Sequence, residues 1–116
     1  KQAFANMVDG KVSAVLGSHT HVPTSDLRVL PNGTAYITDA GMCGDYDSVI
    51  GGEKNSWINK FLNNENKTKI NSSSNNSTIC GIIVKLCKQT GLSAVTKQII
   101  LGDVLQNKIP SDKHFV

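Results

Sequence analysis

Aromatic side chains are scarce, at 5% of 116 residues. A core built from this sequence is therefore mainly aliphatic, and a platform for stacking single-stranded bases lacks its main material. The formal net charge of +3 comes without a basic cluster, so stable nucleic-acid binding is not expected. A small positive excess does favour the approach of a phosphate ester. No apolar run reaches the roughly 20 residues that cross a bilayer, and no charged-then-apolar leader is present, so no membrane partner and a cytoplasmic setting are expected. Cys43, Cys80 and Cys87 are odd in number and show no C-x-x-C spacing, which excludes a closed disulfide set and a thiolate zinc site of the usual kind. They read as reduced thiols, with Cys80 and Cys87 on a strand pattern and expected in the core. What remains is an ordinary domain composition, 39% hydrophobic and 18% charged, long enough to bury one small core.

The stretch that organises the chain is Ala14-Val15-Leu16-Gly17-Ser18-His19-Thr20-His21-Val22-Pro23-Thr24. Val12, Ala14 and Leu16 alternate with Ser13 and Val15, a pattern that suits a buried strand over 12–17. Gly17 allows a sharp turn or a close backbone approach at its end. With an extended backbone through His19 and His21, period-two alternation sends both imidazoles to one side. Two neutral imidazoles at the end of a buried strand form a metal half-site; a polar strand end with two solvated histidines has the same spacing. Pro23 closes the stretch and stops the ladder.

Further elements follow from pattern. Ala3, Phe4, Met7 and Val8 fall at helical spacing, closed by Asp9-Gly10. Ser25–Asn32 reads as a connection, with Leu27, Val29 and Leu30 placed to pack inward, and Pro31-Asn32-Gly33 is a turn. Thr34–Thr38 reads as a short alternating strand ending at Asp39-Ala40-Gly41. The glycine-rich 41–52 segment is either a phosphate-cradling nest or simply a shaped loop. Trp57, Ile58, Phe61 and Leu62 predict a helix at about 54–62. The Asn/Ser/Lys-rich 63–77 segment predicts an exposed polar loop, with a short edge strand at 67–70. Strands are expected at 78–87 and 93–101, joined by the hairpin signal Gln89-Thr90-Gly91. A domain of 1–103 and a polar tail of 104–116, holding a solvated His114, complete the chain.

Two blocks carry a resemblance: Gly17-Ser18-His19-Thr20-His21-Val22-Pro23-Thr24, and Gly33-Thr34-Ala35-Tyr36-Ile37-Thr38-Asp39-Ala40-Gly41-Met42 followed by Gly44 and Tyr46-Asp47-Ser48-Val49-Ile50-Gly51. In order and spacing they resemble the YmdB-like metallophosphoesterases, a bacterial branch of the calcineurin-like phosphoesterases. The resemblance implies an α/β fold: the C-terminal half of a calcineurin-like metallophosphoesterase sandwich, a β-sandwich flanked by helices, in a family about twice this length. It implies metal-dependent hydrolysis of phosphodiesters such as 2′,3′-cyclic AMP at a site of two divalent metal ions, with Fe or Mn favoured and Zn compatible. By position, His19 would ligate one metal and His21 the other. Thr20 and Thr24 would be supporting donors, substrate contacts or plain loop polarity. Asp39, at a strand end, would orient a ligating histidine or stabilise a turn. Cys43 and Asp45 stand where the family has a hydroxyl residue and a proline, a change in loop stiffness and charge near the site.

The family's further ligands, a His, an Asp, a Glu and two Asn, and a histidine that protonates the leaving group, match nothing in these residues. Two histidines do not fill two ions that each take about four to six ligands. This chain alone is therefore expected to be inactive, and to need a missing N-terminal half or a second copy. The competing expectation is a catalytically inactive remnant that acts as a subunit.

Overall fold

The computed structural model describes residues 1–63, 69–111 and 113. Its elements are α1 (Gln2–Met7), β1 (Ala14–Leu16), β2 (Arg28–Val29), β3 (Ala35–Ile37), α2 (Lys54–Asn63), β4 (Ile79–Leu86) and β5 (Ser93–Leu101). This is an α/β arrangement. A three-stranded sheet runs in the order β1-β3-β2, with β1 parallel and β2 antiparallel to β3. The second sheet is the β4-β5 hairpin.

β3 is the central strand, and all three of its residues are buried. Expected alternation gives way here because a strand covered on both faces is apolar throughout. Tyr36 and Ile37 are fully buried, and Tyr36 packs with Ala5 of α1 and Leu30, with Val15 alongside. β1 is not the buried strand expected: Val15 packs on the core, while Val12 and Leu16 are exposed, because β1 lies at the edge of its sheet. The expected 25–32 connection contains β2, whose Val29 points outward while Leu30 is buried. Parallel β1 and β3 cannot share a tight turn, so a long crossover is required, and it leaves room for β2 to pair antiparallel on the far side of β3.

The hairpin forms where the pattern places it, turning at Gly91 with φ +70°. It is tied to the first sheet by Ser93 N–H to the Gly33 carbonyl (2.8 Å) and by the Ser13 hydroxyl to the Gly91 carbonyl (2.6 Å). Cys80 is buried as expected, whereas Cys87 lies beyond the end of β4, half-buried, with its thiol on Gln89 Oε1 (3.1 Å). Lys67 and Thr68 of the expected edge strand lie outside the described residues, and Lys69–Ile70 form no strand. Ser72 instead bridges to Gly52. In the tail, Lys108 exchanges two backbone hydrogen bonds with Ile100 (2.8 and 2.9 Å); His114 lies outside the described residues.

Candidate metal centre

The parallel pairing of β1 and β3 brings their carboxyl ends together. The ladder continues past β1: Gly17 N–H donates to the Ile37 carbonyl, and Ala40 N–H donates to the Gly17 carbonyl, both at 2.9 Å. A Cβ on Gly17 would lie 1.8 Å from the Thr38 carbonyl oxygen, so the close approach anticipated for this glycine is real. The histidine loop leaves from this point, over the end of β3.

The loop is not extended. His19 has φ +105° and His21 φ +64°, so period-two alternation does not orient the rings. The imidazoles are brought together by two left-handed turns. His19, His21, Asp39, Ser18, Gly41 and Met42 line one open cleft of about 280 Å³. Ile50 is the other non-glycine residue with positive φ among the described residues, at +49°, and it too belongs here. Backbone strain thus gathers at the histidine pair, as it does where structure over-determines a working geometry.

Asp39 holds the loop. Its Oδ2 accepts from Thr20 N–H (2.6 Å) and from the Thr20 hydroxyl (2.7 Å), and its Oδ1 accepts from Gly41 N–H (2.8 Å). Of the two roles anticipated for Asp39, the geometry is that of turn stabilisation. Its burial opposes ionisation, but the Gly41 and Thr20 hydrogen bonds, with the Lys1 charge, outweigh it and hold the carboxyl below its ordinary value. Thr20 spends its hydroxyl on this carboxylate. Thr24 donates its hydroxyl to Asp26 Oδ1 (2.6 Å) and accepts from Asp39 N–H (3.0 Å). Both threonines build the loop from inside.

The structural role of Asp26 escaped the sequence reading, as did the partners of Asp45. Asp26 takes Thr24 and both Thr38 donors, and Asp45 takes the Asp47 N–H (2.7 Å), the Ser73 hydroxyl and the Asn75 amide (3.1 Å). The available signal was the Asp and Thr content at strand ends, where such side chains bond nearby backbone. Asp45 stiffens the glycine-rich loop by hydrogen bonding, where a proline would stiffen it covalently. That loop is a shaped support rather than an open nest.

Neutral imidazoles suit borderline divalent ions. His21 Nδ1 lies 2.8 Å from the Ile50 carbonyl, which leaves Nε2 free to coordinate. His19 makes no hydrogen bond among the described residues, so its ring is also available. The pair fits a metal site as two donors of a larger set. Among the described residues, no group of three or more His, Cys, Asp or Glu side chains comes together.

The family model described as YmdB-like protein matches residues 1–99. The chain is 38% identical over 103 residues to a 2′,3′-cyclic-nucleotide 2′-phosphodiesterase of Bacillus subtilis, covering 89% of this chain and 39% of that protein. It is 40% identical over 100 residues to a Mycoplasma genitalium protein provisionally named phosphatase/phosphodiesterase, covering 85% of this chain and 35% of the relative. A crystal structure described as a novel phosphatase of Mycoplasma pneumoniae superimposes with a TM-score of 0.81 at 35% identity, over 87% of this chain and 36% of that one. The match thus spans well under half the length of each of these proteins. With that family model matched over residues 1–99 of 116, the chain belongs to the YmdB-like family.

Proposed function

We propose that this chain supplies two imidazole ligands, His19 and His21, to the dinuclear metal centre of a phosphodiesterase acting on cyclic nucleotides of the 2′,3′-cyclic AMP type. The observation that carries the reading is the convergence of both histidines on one cleft at the carboxyl ends of β1 and β3. The names of the relatives point to the same chemistry. Divalent ions held in part by His19 and His21, Fe or Mn with Zn compatible, would supply Lewis acidity toward phosphoryl oxygen and an activated water. The chain's own part is to present the two imidazoles from a loop that Asp39 locks and Gly17 anchors. The remaining ligands and the leaving-group acid come from further polypeptide, which also completes the sandwich.

A second reading is a non-catalytic subunit. It rests on the absence of any three-residue ligand cluster among the described residues. Metal analysis separates the two. The 116-residue chain alone should bind substoichiometric metal after dialysis. The same chain within a protein of its relatives' full length should hold about two ions and hydrolyse 2′,3′-cyclic AMP, and His19→Ala with His21→Ala should abolish both. A full-length protein without metal or activity supports the subunit reading. Two ions on the isolated chain would show that the site is completed by self-association.

A further inference from the structure

We infer that the Ile50 backbone carbonyl is a positioning group for His21: it fixes the ring proton on Nδ1 and leaves Nε2 as the ring's sole metal-binding atom. The inference rests on the metal reading above and deepens it. A carbonyl oxygen only accepts, so at 2.8 Å the Nδ1 atom must carry the hydrogen. In a neutral ring the lone pair is then on Nε2.

The turn that carries this carbonyl is strained. Ile50 is β-branched and sits at φ +49°, a conformation in which its Cβ crowds its own backbone. Its side chain is about half exposed, at 49%, so burial does not offset that strain. The surrounding loop enforces it. Val49 and Gly52 exchange backbone hydrogen bonds at 3.0 and 2.9 Å, closing a tight turn across Ile50. Gly51 N–H donates to the Ser48 hydroxyl (2.9 Å), and that hydroxyl donates to the Asp45 carbonyl. Ser73 N–H holds the Gly51 carbonyl (2.8 Å), and the Asp45 side chain holds Ser73 in turn. Every tie fixes the direction of the peptide that bears the Ile50 carbonyl. The bond's other partner, His21, is left-handed as well. Positive φ at both Ile50 and Gly51 is what the two-residue turn between Val49 and Gly52 requires, and that turn aims the Ile50 carbonyl at the His21 ring.

The test is ¹⁵N NMR of the His21 ring in the metal-free full chain, above the ordinary histidine titration range, assigned with His21→Ala. The expected spectrum shows Nδ1 protonated and Nε2 bare. A ring protonated on Nε2 overturns the inference while leaving the metal reading standing. Zn²⁺ binding by chelator competition, measured with the chain inside a protein of its relatives' full length, supplies the second readout. Ile50→Pro, whose φ is locked negative, should lose the Nδ1–H form and weaken Zn²⁺ binding about 10- to 100-fold. Ile50→Gly, which adopts φ +49° freely, should restore both to within about twofold. Loss of tautomer and affinity in both variants would assign the effect to the side chain and overturn the inference. Should Ile50→Pro fail to fold, the wild-type tautomer and the glycine variant decide alone. A ring protonated on Nδ1 whose loss in His21→Ala leaves Zn²⁺ binding unchanged would overturn the metal reading, and with it the positioning role.

Discussion

Three hydrogens converge on the Asp26 carboxylate: the hydroxyls of Thr24 and Thr38, both at 2.6 Å, and the Thr38 N–H at 3.1 Å. Burial raises its pKa, but these bonds prevail and bring it from 3.8 down to about 2. The Arg28 contact at 3.7 Å is half-exposed and adds little. A carboxyl depressed in the folded state contributes stability that is present above the unfolded value and is lost as pH falls through the folded one. The window is therefore pH 3.8 to about 2, and the contribution is on the order of 2 kcal/mol. Urea unfolding between pH 2 and 7 should show that step in the wild type. Asp26→Asn should be less stable at pH 7 by about that amount and should lack the step. An unchanged pH dependence in the variant would mean that Asp26 does not hold the loop. At this scale the sequence spoke only partly. It singled out His19, His21, Thr20, Thr24 and Asp39, which do assemble at one loop, but it gave no role to Asp26 or Ile50 and noted Asp45 only as a change in loop stiffness and charge. Their roles depend on residues distant in sequence, such as Ser73 and Asn75 for Asp45, and no local pattern announces them.

At the scale of elements, the junction of β1 with the histidine loop is the most constrained joint. A methyl group on Gly17 would meet the Thr38 carbonyl at 1.8 Å, and the obstacle is backbone. The strands cannot separate to admit it without losing the Gly17–Ile37 and Ala40–Gly17 bonds. Gly17→Ala should therefore destabilise the protein by more than about 3 kcal/mol and remove metal binding. Gly81, in β4, supplies the contrast: nothing lies within 4 Å of its virtual Cβ, and Gly81→Ala should stay within roughly 0.5 kcal/mol. Comparable melting temperatures for the two variants would refute the account. Strong periodicity is what made elements legible beforehand. β5 runs over 93–101 as read, α2 is displaced by one residue at its end, and β4 is trimmed to 79–86. β1 and β3 fall inside the expected 12–17 and 34–38 but are shorter, and β1 is more exposed and β3 more buried than read, because their burial is set by neighbours in the sheet rather than by local pattern. β2, of two residues, is too short to carry a period.

At the scale of the whole molecule, surface is the dominant fact. The radius of gyration is 17.4 Å, where a compact chain of this size has about 13 Å, and one axis is only 17 Å thick. The buried cluster of Ala5, Leu30 and Tyr36 is small. Phe4, Met7 and Leu16 are at least half exposed around α1 and the free edge of β1, and Phe61 and Leu62 are 87% and 71% exposed on α2. Large apolar side chains exposed beside an unpaired strand edge favour association. The proposed function accounts for the first of these regions, since β1 would take its neighbour from the polypeptide that brings the missing ligands. The isolated 116-residue chain should accordingly bind an anilinonaphthalene dye and sediment as more than a monomer at micromolar concentration. Joined to polypeptide equivalent to the remainder of its relatives, it should lose most of the dye signal while gaining its full complement of metal. Both changes follow from one event, the covering of β1 and α1, so they should titrate together. Dye release without metal uptake would separate folding from the site and support the subunit reading. A monomeric isolated chain that binds no dye would mean that the exposed apolar side chains do not act as an interface at all.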